Sequence, residues 1–214
     1  MTTGRRATTW RAVAVVLLLV GVASLVMWSA HSDPRPAAGT TTTSPTPPPG
    51  ATARADESSG RAGVARPVAV SIPAIGVRSR LDGLGLNRDG TVEVPEDPGV
   101  AGWYRLGTRP GARGSAVILG HVDSMQGPAV FYRLSSLHRG DGVRVELADG
   151  SFVRFRVRSV AVYPIARFPA EKVYAARGHR ILNLVTCGGE YDAAAGGYQA
   201  NVVVQTRWVG TSPA

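Results

Sequence analysis

The chain is poor in the residues that usually announce a function. Cys187 is its only cysteine, Lys172 its only lysine, and aromatic residues amount to 7% of 214. A single thiol excludes an intrachain disulfide framework and the multi-cysteine zinc sites. Four scattered histidines, His31, His121, His138 and His179, do not restore metal-ligand spacing. The acidic residues do not gather into a calcium loop, so neither metal nor cofactor is expected. Acids are also outnumbered, and the net charge is +9. The excess is spread thinly: residues 1–66 hold seven arginines against three acids, and residues 67–214 seventeen basic against twelve acidic side chains. No basic tract or nucleic-acid reading motif appears, which excludes nucleic acid as the expected partner. Nor is there an internal repeat.

Against this background one apolar run stands out. Residues 12–30, AVAVVLLLVGVASLVMWSA, carry no charge. As a helix the run would span ~28 Å, close to the thickness of a hydrocarbon core. Arg5, Arg6 and Arg11 precede it and the next basic residue is Arg35, so residues 1–11 are expected in the cytoplasm and everything after the span outside. Trp10 and Trp28 mark its two ends. The length of the run and the poor small-x-small pattern of WSAHSD favour a single uncleaved anchor over a cleaved signal peptide. Residues 31–66, with TTTTSPTPPPG at their centre, read as a disordered Pro/Thr/Ala-rich tether.

From residue 67 to 210 the texture is that of a β domain. VAVSIPAIGV (68–77) reads as an initial strand interrupted by Pro73, and NRDGTVEVP (87–95) as a turn followed by a strand. GSAVILG (114–120) is a buried strand. Residues 141–164 form the clearest hairpin, with Val153, Phe155 and Val157 on one face and Arg154, Arg156 and Arg158 on the other. RILNLVTC (180–187) and NVVVQTRWV (201–209) supply two more strands. Helix is confined to single turns near 128–138 and 169–176. Seven or eight short strands indicate a closed or nearly closed β-barrel.

A lone thiol outside the cell is an intermolecular bridge, an inert buried group or a reactive one. Cys187 ends an apolar strand and is followed by Gly188-Gly189, which reads as a flexible turn that leaves the sulfur uncovered. A nucleophilic cysteine needs a base. His121 qualifies by position, because it follows SAVILG and so also stands at a strand end, with Gly120 permitting close approach.

These residues carry a resemblance. LGHVDS…GPAVFYRL followed by LVTCGGEYD…GYQANVVV, with VSIPAIGV, DGTVEVPEDPGVAGWY and RFPAEKVY in order, resembles the sortases, in particular the actinobacterial classes labelled E and F. The similarity runs over residues 67–209. It implies a mainly β fold, a closed eight-stranded sortase-like barrel with one or two short helices behind a transmembrane helix. It also implies a membrane-anchored cysteine transpeptidase without a cofactor. Cys187 would attack the sorting signal of an exported protein and form a thioacyl enzyme. His121 would protonate the leaving amine and accept a proton from the incoming one. The acceptor would be an amine of a cell-wall precursor or of a pilin.

Sortases also use an arginine on the strand after the cysteine loop. Here a gapless count from Cys187 reaches Gln199, Ala200 and Asn201, and Arg207 lies six residues further. Asn201 could donate to an oxyanion without the charge, and Arg133 of FYRL could reach the groove from another element. Asp123 could orient the imidazole or bind substrate, though a turn-capping role suits it as well. The Thr186 hydroxyl could bond a substrate carbonyl. The alternatives are a non-enzymatic or weakly active anchored barrel that binds rather than cuts, and an L,D-transpeptidase. VTCGG departs from the Ser-x-Gly-Cys pattern of the latter.

Overall fold

The computed structural model describes residues 63–214, and the expected anchor (12–30) with nearly all of the tether (31–66) lies outside them. Among the described residues no helix is long and apolar enough to cross a membrane. Eight strands close into a barrel in the order β1-β2-β3-β4-β9-β10-β8-β7. They are β1 (Pro67–Ile72), β2 (Val77–Leu84), β3 (Ala101–Tyr104), β4 (Gly114–Leu119), β7 (Gly142–Leu147), β8 (Phe152–Pro164), β9 (Arg180–Asp192) and β10 (Gly197–Ser212). A small ribbon, β5 (Asp123–Ser124) with β6 (Gly127–Pro128), stands apart, and one short helix, α1, covers Ala170–Tyr174. Closure is made by β1 pairing with β7, which leaves no long strand edge open.

Strand periodicity sorts the side chains. Val70, Ile118, Val145, Phe155, Leu184 and Val204 fill the interior of the barrel. A second cluster lies on the other face of β4, β9 and β10, where Val117, Leu119, Val185 and Val203 pack under α1 with Tyr104, Val173 and Tyr174. Strands β4 and β9 are therefore covered on both sides, which is why SAVIL and ILNLV are continuous apolar runs rather than alternating ones. They are also a parallel pair, running from Gly114 opposite Arg180 to Leu119 opposite Val185. Buried polar groups tie the helix to this pair. Asn183 Nδ2 donates to Ser115 Oγ (2.9 Å) and to the Val173 carbonyl (2.8 Å), and Ser115 Oγ donates to the same carbonyl.

Four readings change against the structure. Residues 87–95 form no strand: Asp89 caps the turn by accepting from Thr91, and only an isolated Leu86–Val92 bridge follows. Pro73 does more than interrupt a strand, since it opens a 3-10 turn that ends at Gly76 with φ +72° and reverses the chain into β2. Gly188 and Gly189 are not a turn. Strand β9 continues through them to Asp192 because a Cβ on Gly188 would lie 2.7 Å from Val202 Cγ2, and Gly189 takes φ +78° at a bulge. Packing also begins earlier than residue 67: Val64 and Ala65 lie against the core, and Arg109 donates to the Val64 carbonyl.

Replacing Asn183 by Ala removes two donated bonds within a buried cluster, and unfolding in urea should show a loss of about 2 kcal/mol with an unchanged m-value. A loss under half that would mean the cluster does not hold α1 to the sheet.

Candidate functional site

The β4–β9 pairing sets the site. One residue past the Leu119–Val185 pair, the Gly120 amide donates to the Val185 carbonyl (3.2 Å), so the parallel alignment persists beyond the end of β4. The Thr186 hydroxyl donates to the Gly120 carbonyl at 2.7 Å and clamps the two chains from the inner side. Side chains alternate, so the outer row Leu119, Val185, Val203 continues two residues on to His121, Cys187 and Asn201. Asn201 is the register partner of Cys187 across β9–β10. Three of the expected residues are thus brought to one end of one sheet face.

Each is held differently. Cys187 is half-buried and free. The His121 ring nitrogen Nε2 lies 2.8 Å from the Pro95 carbonyl, which can only accept, so the hydrogen sits on Nε2 and Nδ1 is left with its lone pair. The backbone of His121 is fixed by Phe131, whose amide donates to the His121 carbonyl at 2.9 Å. That contact needs Gly120, because a Cβ there would come within 2.8 Å of both Val130 and Phe131 side chains. Asn201 is 2% exposed, and its amide makes no side-chain hydrogen bond among the described residues.

Asp123 neither caps its turn nor meets the imidazole. Its Oδ2 accepts from the Tyr198 hydroxyl at 2.5 Å, joining the β5–β6 ribbon to the start of β10. Sequence reasoning missed Tyr198, and no local signal would have found it, because its partner lies 75 residues away. Tyr191 packs edge-on against it, with ring centroids 5.2 Å apart. Burial, with the Asp123 carboxylate as second cause, pushes the Cys187 thiol up to about 11. The bond to Asp123, then burial, pushes the Tyr198 phenol up to about 12.

No arginine stands opposite Cys187 in the β9–β10 register. Asn201 and Ala200 stand where β10 pairs with Cys187 and Gly188, and Gln199 turns its amide back to the Gly197 carbonyl (2.6 Å). Arg133 is exposed and lines a cavity with Gly76, Arg78 and Tyr132, on the segment that follows the β5–β6 ribbon. Arg207 pairs with Arg156, well down the barrel. Among the described residues no cluster could hold a metal ion.

Comparison with known proteins agrees with this fold. The chain shares 17% identity with the pilus-related sortase C of Group B Streptococcus over 68% of each chain, with a TM-score of 0.51. Sortase C of Streptococcus pneumoniae is similar over 70% of this chain and 72% of its own (20% identity, TM-score 0.53). Sortase A of Listeria monocytogenes is similar over 70% and 90% (13% identity, TM-score 0.53). These likenesses establish the fold. No curated protein sequence matches the chain. The profile of the sortase domain matches residues 70–209, nearly the entire barrel, and on that match the chain belongs to the sortase family of cysteine transpeptidases.

Proposed function

We propose that Cys187 is the acyl-accepting nucleophile of a membrane-anchored transpeptidase, with His121 as its acid and base and Asn201 as its oxyanion donor. The observation that supports this reading is the continuation of the β4–β9 alignment past Leu119 and Val185, in which the positions of His121 and Cys187 are neighbours. The Cys187 sulfur attacks the carbonyl carbon of a sorting signal, and the C–N bond breaks as His121 gives a proton to the departing amine. The thioester is then attacked by an incoming amine, whose proton passes to His121 as the thiolate leaves. Two easier steps replace one direct amide exchange, and no redox partner is needed.

The arrangement at rest is not a thiolate. With the thiol near 11, the thiolate fraction at pH 7 is on the order of 10⁻⁴. Both causes oppose ionisation: the half-buried sulfur lacks water, and Asp123 sets a negative charge near it. Reaction then requires His121 to take the proton as substrate arrives, through the nitrogen that Pro95 leaves free. The Asn201 amide is unengaged and faces the same side as the sulfur, so its N–H can meet the oxygen that gains charge. It supplies a dipole where sortases use a cation, and slower turnover follows. Thr186 has its hydroxyl hydrogen committed to Gly120, so it spaces the two catalytic strands instead of reading substrate.

The anchor at 12–30 and the tether at 31–66 place this site outside the cell, where sorting signals and wall or pilin amines are found. The pilus link in the relative from Group B Streptococcus supports a pilin or wall amine as acceptor.

The purified chain, incubated with a library of sorting-signal peptides, should give an acyl adduct on Cys187 by mass spectrometry. Cys187→Ala should give none, His121→Ala should keep the thiol and lose turnover, and Asn201→Ala should lower kcat roughly 10²-fold. An adduct that forms equally well in His121→Ala would remove the imidazole from the reaction. Alkylation of Cys187 tests its environment separately. Its rate should rise about tenfold per pH unit from 7 to 10. Asp123→Asn, by removing the charge that raises the thiol, should speed alkylation at pH 8. A rate already flat by pH 8 would contradict the thiol's position near 11.

A further inference from the structure

The barrel end remote from Cys187 carries a cavity of about 460 Å³ lined by Arg113, Arg158, His179, Arg180, Arg207 and Trp208. No aspartate or glutamate lines it, and among the described residues none of these four arginines forms an ion pair. The four guanidinium groups are exposed and share one concavity, so their summed positive potential favours an anion there. Three backbone features build the cluster. Arg180 opens β9 opposite Gly114, which brings it beside Arg113, the residue just before β4. The β8–β10 ladder skips Arg158 between the Val157–Thr206 and Ser159–Gln205 pairs, so Arg158 is the extra residue of a bulge, a device that re-aims a side chain. Arg180 stacks over the Trp208 ring at 4.6 Å, which orders its fork while leaving its N–H groups free. Beneath it the Trp208 indole N–H is buried without an acceptor.

The location narrows the ligand. Arg180 lies seven positions before Cys187 along β9, ~23 Å of strand, so the cavity is not part of the acyl-transfer site. It lies at the end where the chain comes into the barrel, since Pro67 begins β1 opposite Leu147, the last residue of β7, and Arg109 just before β4 holds the Val64 carbonyl. We propose that this cavity is a phosphate-binding site that takes the phosphate ester of an anionic lipid headgroup or of a free phosphate compound. Guanidinium forks match phosphate oxygens two at a time, and the cavity is large enough for a phosphate ester with its glycerol. Occupied by a headgroup, it would turn this end of the barrel towards the bilayer and the Cys187 end away from it.

The test is arginine footprinting of the full chain in neutral nanodiscs, using a dicarbonyl reagent and mass spectrometry. Inorganic phosphate, glycerol phosphate and phosphatidylglycerol in the disc are compared with chloride at equal ionic strength. The expected result is at least fivefold protection of Arg158, Arg180 and Arg207, with Arg88 and Arg133 unchanged. Each Arg→Gln substitution should lower the affinity roughly fivefold, so Arg158→Gln/Arg180→Gln lowers it about twenty-five-fold while amide exchange on a soluble peptide is kept. Protection by soluble phosphate assigns the site to a free ester, and protection only by phosphatidylglycerol assigns it to the headgroup. Protection no greater than with chloride in every arm, or equal protection in the double variant, overturns the proposal.

Discussion

The parallel pairing of β4 with β9 is the constraint on which the rest depends. It places two chain segments, each apolar on both faces, side by side in the same direction, so their ends coincide. Everything reactive in the proposed site lies on the residues just after those ends. Parallel neighbours need a long crossover, and the 60 residues between β4 and β9 hold the β5–β6 ribbon, the β7–β8 hairpin and α1. The crossover also supplies the parts that tune the pair: Phe131 fixes the backbone of His121, Asp123 raises the thiol, and α1 seals the outer face through Val173 and Asn183. Stability and chemistry therefore share one structural element, and a change that shifted β4 against β9 by one residue would turn His121 to the opposite face.

The site is set towards a protonated, protected thiol. Burial and the Asp123 carboxylate both disfavour the thiolate, and no arginine offsets them. This has a physical consequence: a thiol near 11 reacts slowly with oxidants and disulfides, because the thiolate is the reactive form. Nucleophilic strength would then appear only when substrate brings the proton acceptor into play. The Asp123–Tyr198 bond has a place in this, since it closes the gap between the His121 loop and the β9–β10 hairpin on one flank of the sulfur.

Much of the fold was legible because period-two alternation is a local property. Val153, Phe155 and Val157 are buried and Arg154, Arg156 and Arg158 exposed, as their order along 141–164 implies. The same rule misled at 87–95, where alternating residues follow Asp89-Gly90 yet pair only through the isolated Leu86–Val92 bridge. Strand β3 went unseen because AGWY is four residues long and wholly buried, with no polar alternation, and its partner β2 lies parallel to it. Gly188-Gly189 looked like a turn because glycine has no local reason to stay extended. The reason is Val202 and Ala200 on the next strand, against which any Cβ would collide. In the candidate site the residues at strand ends could be read from their position, whereas Tyr198 and the Pro95 contact of His121 depend on distant partners and could not.

The central proposal is that the β4–β9 alignment, by setting the His121 and Cys187 positions side by side, lets the imidazole reach the sulfur. An NMR pH titration of the His121 ring protons, in the chain as it stands and in Cys187→Ala, reads that proximity directly. The account predicts that the His121 signal moves as the thiol ionises near 11, and that this change is absent when the sulfur is removed. Superimposable titration curves for the two proteins would contradict it.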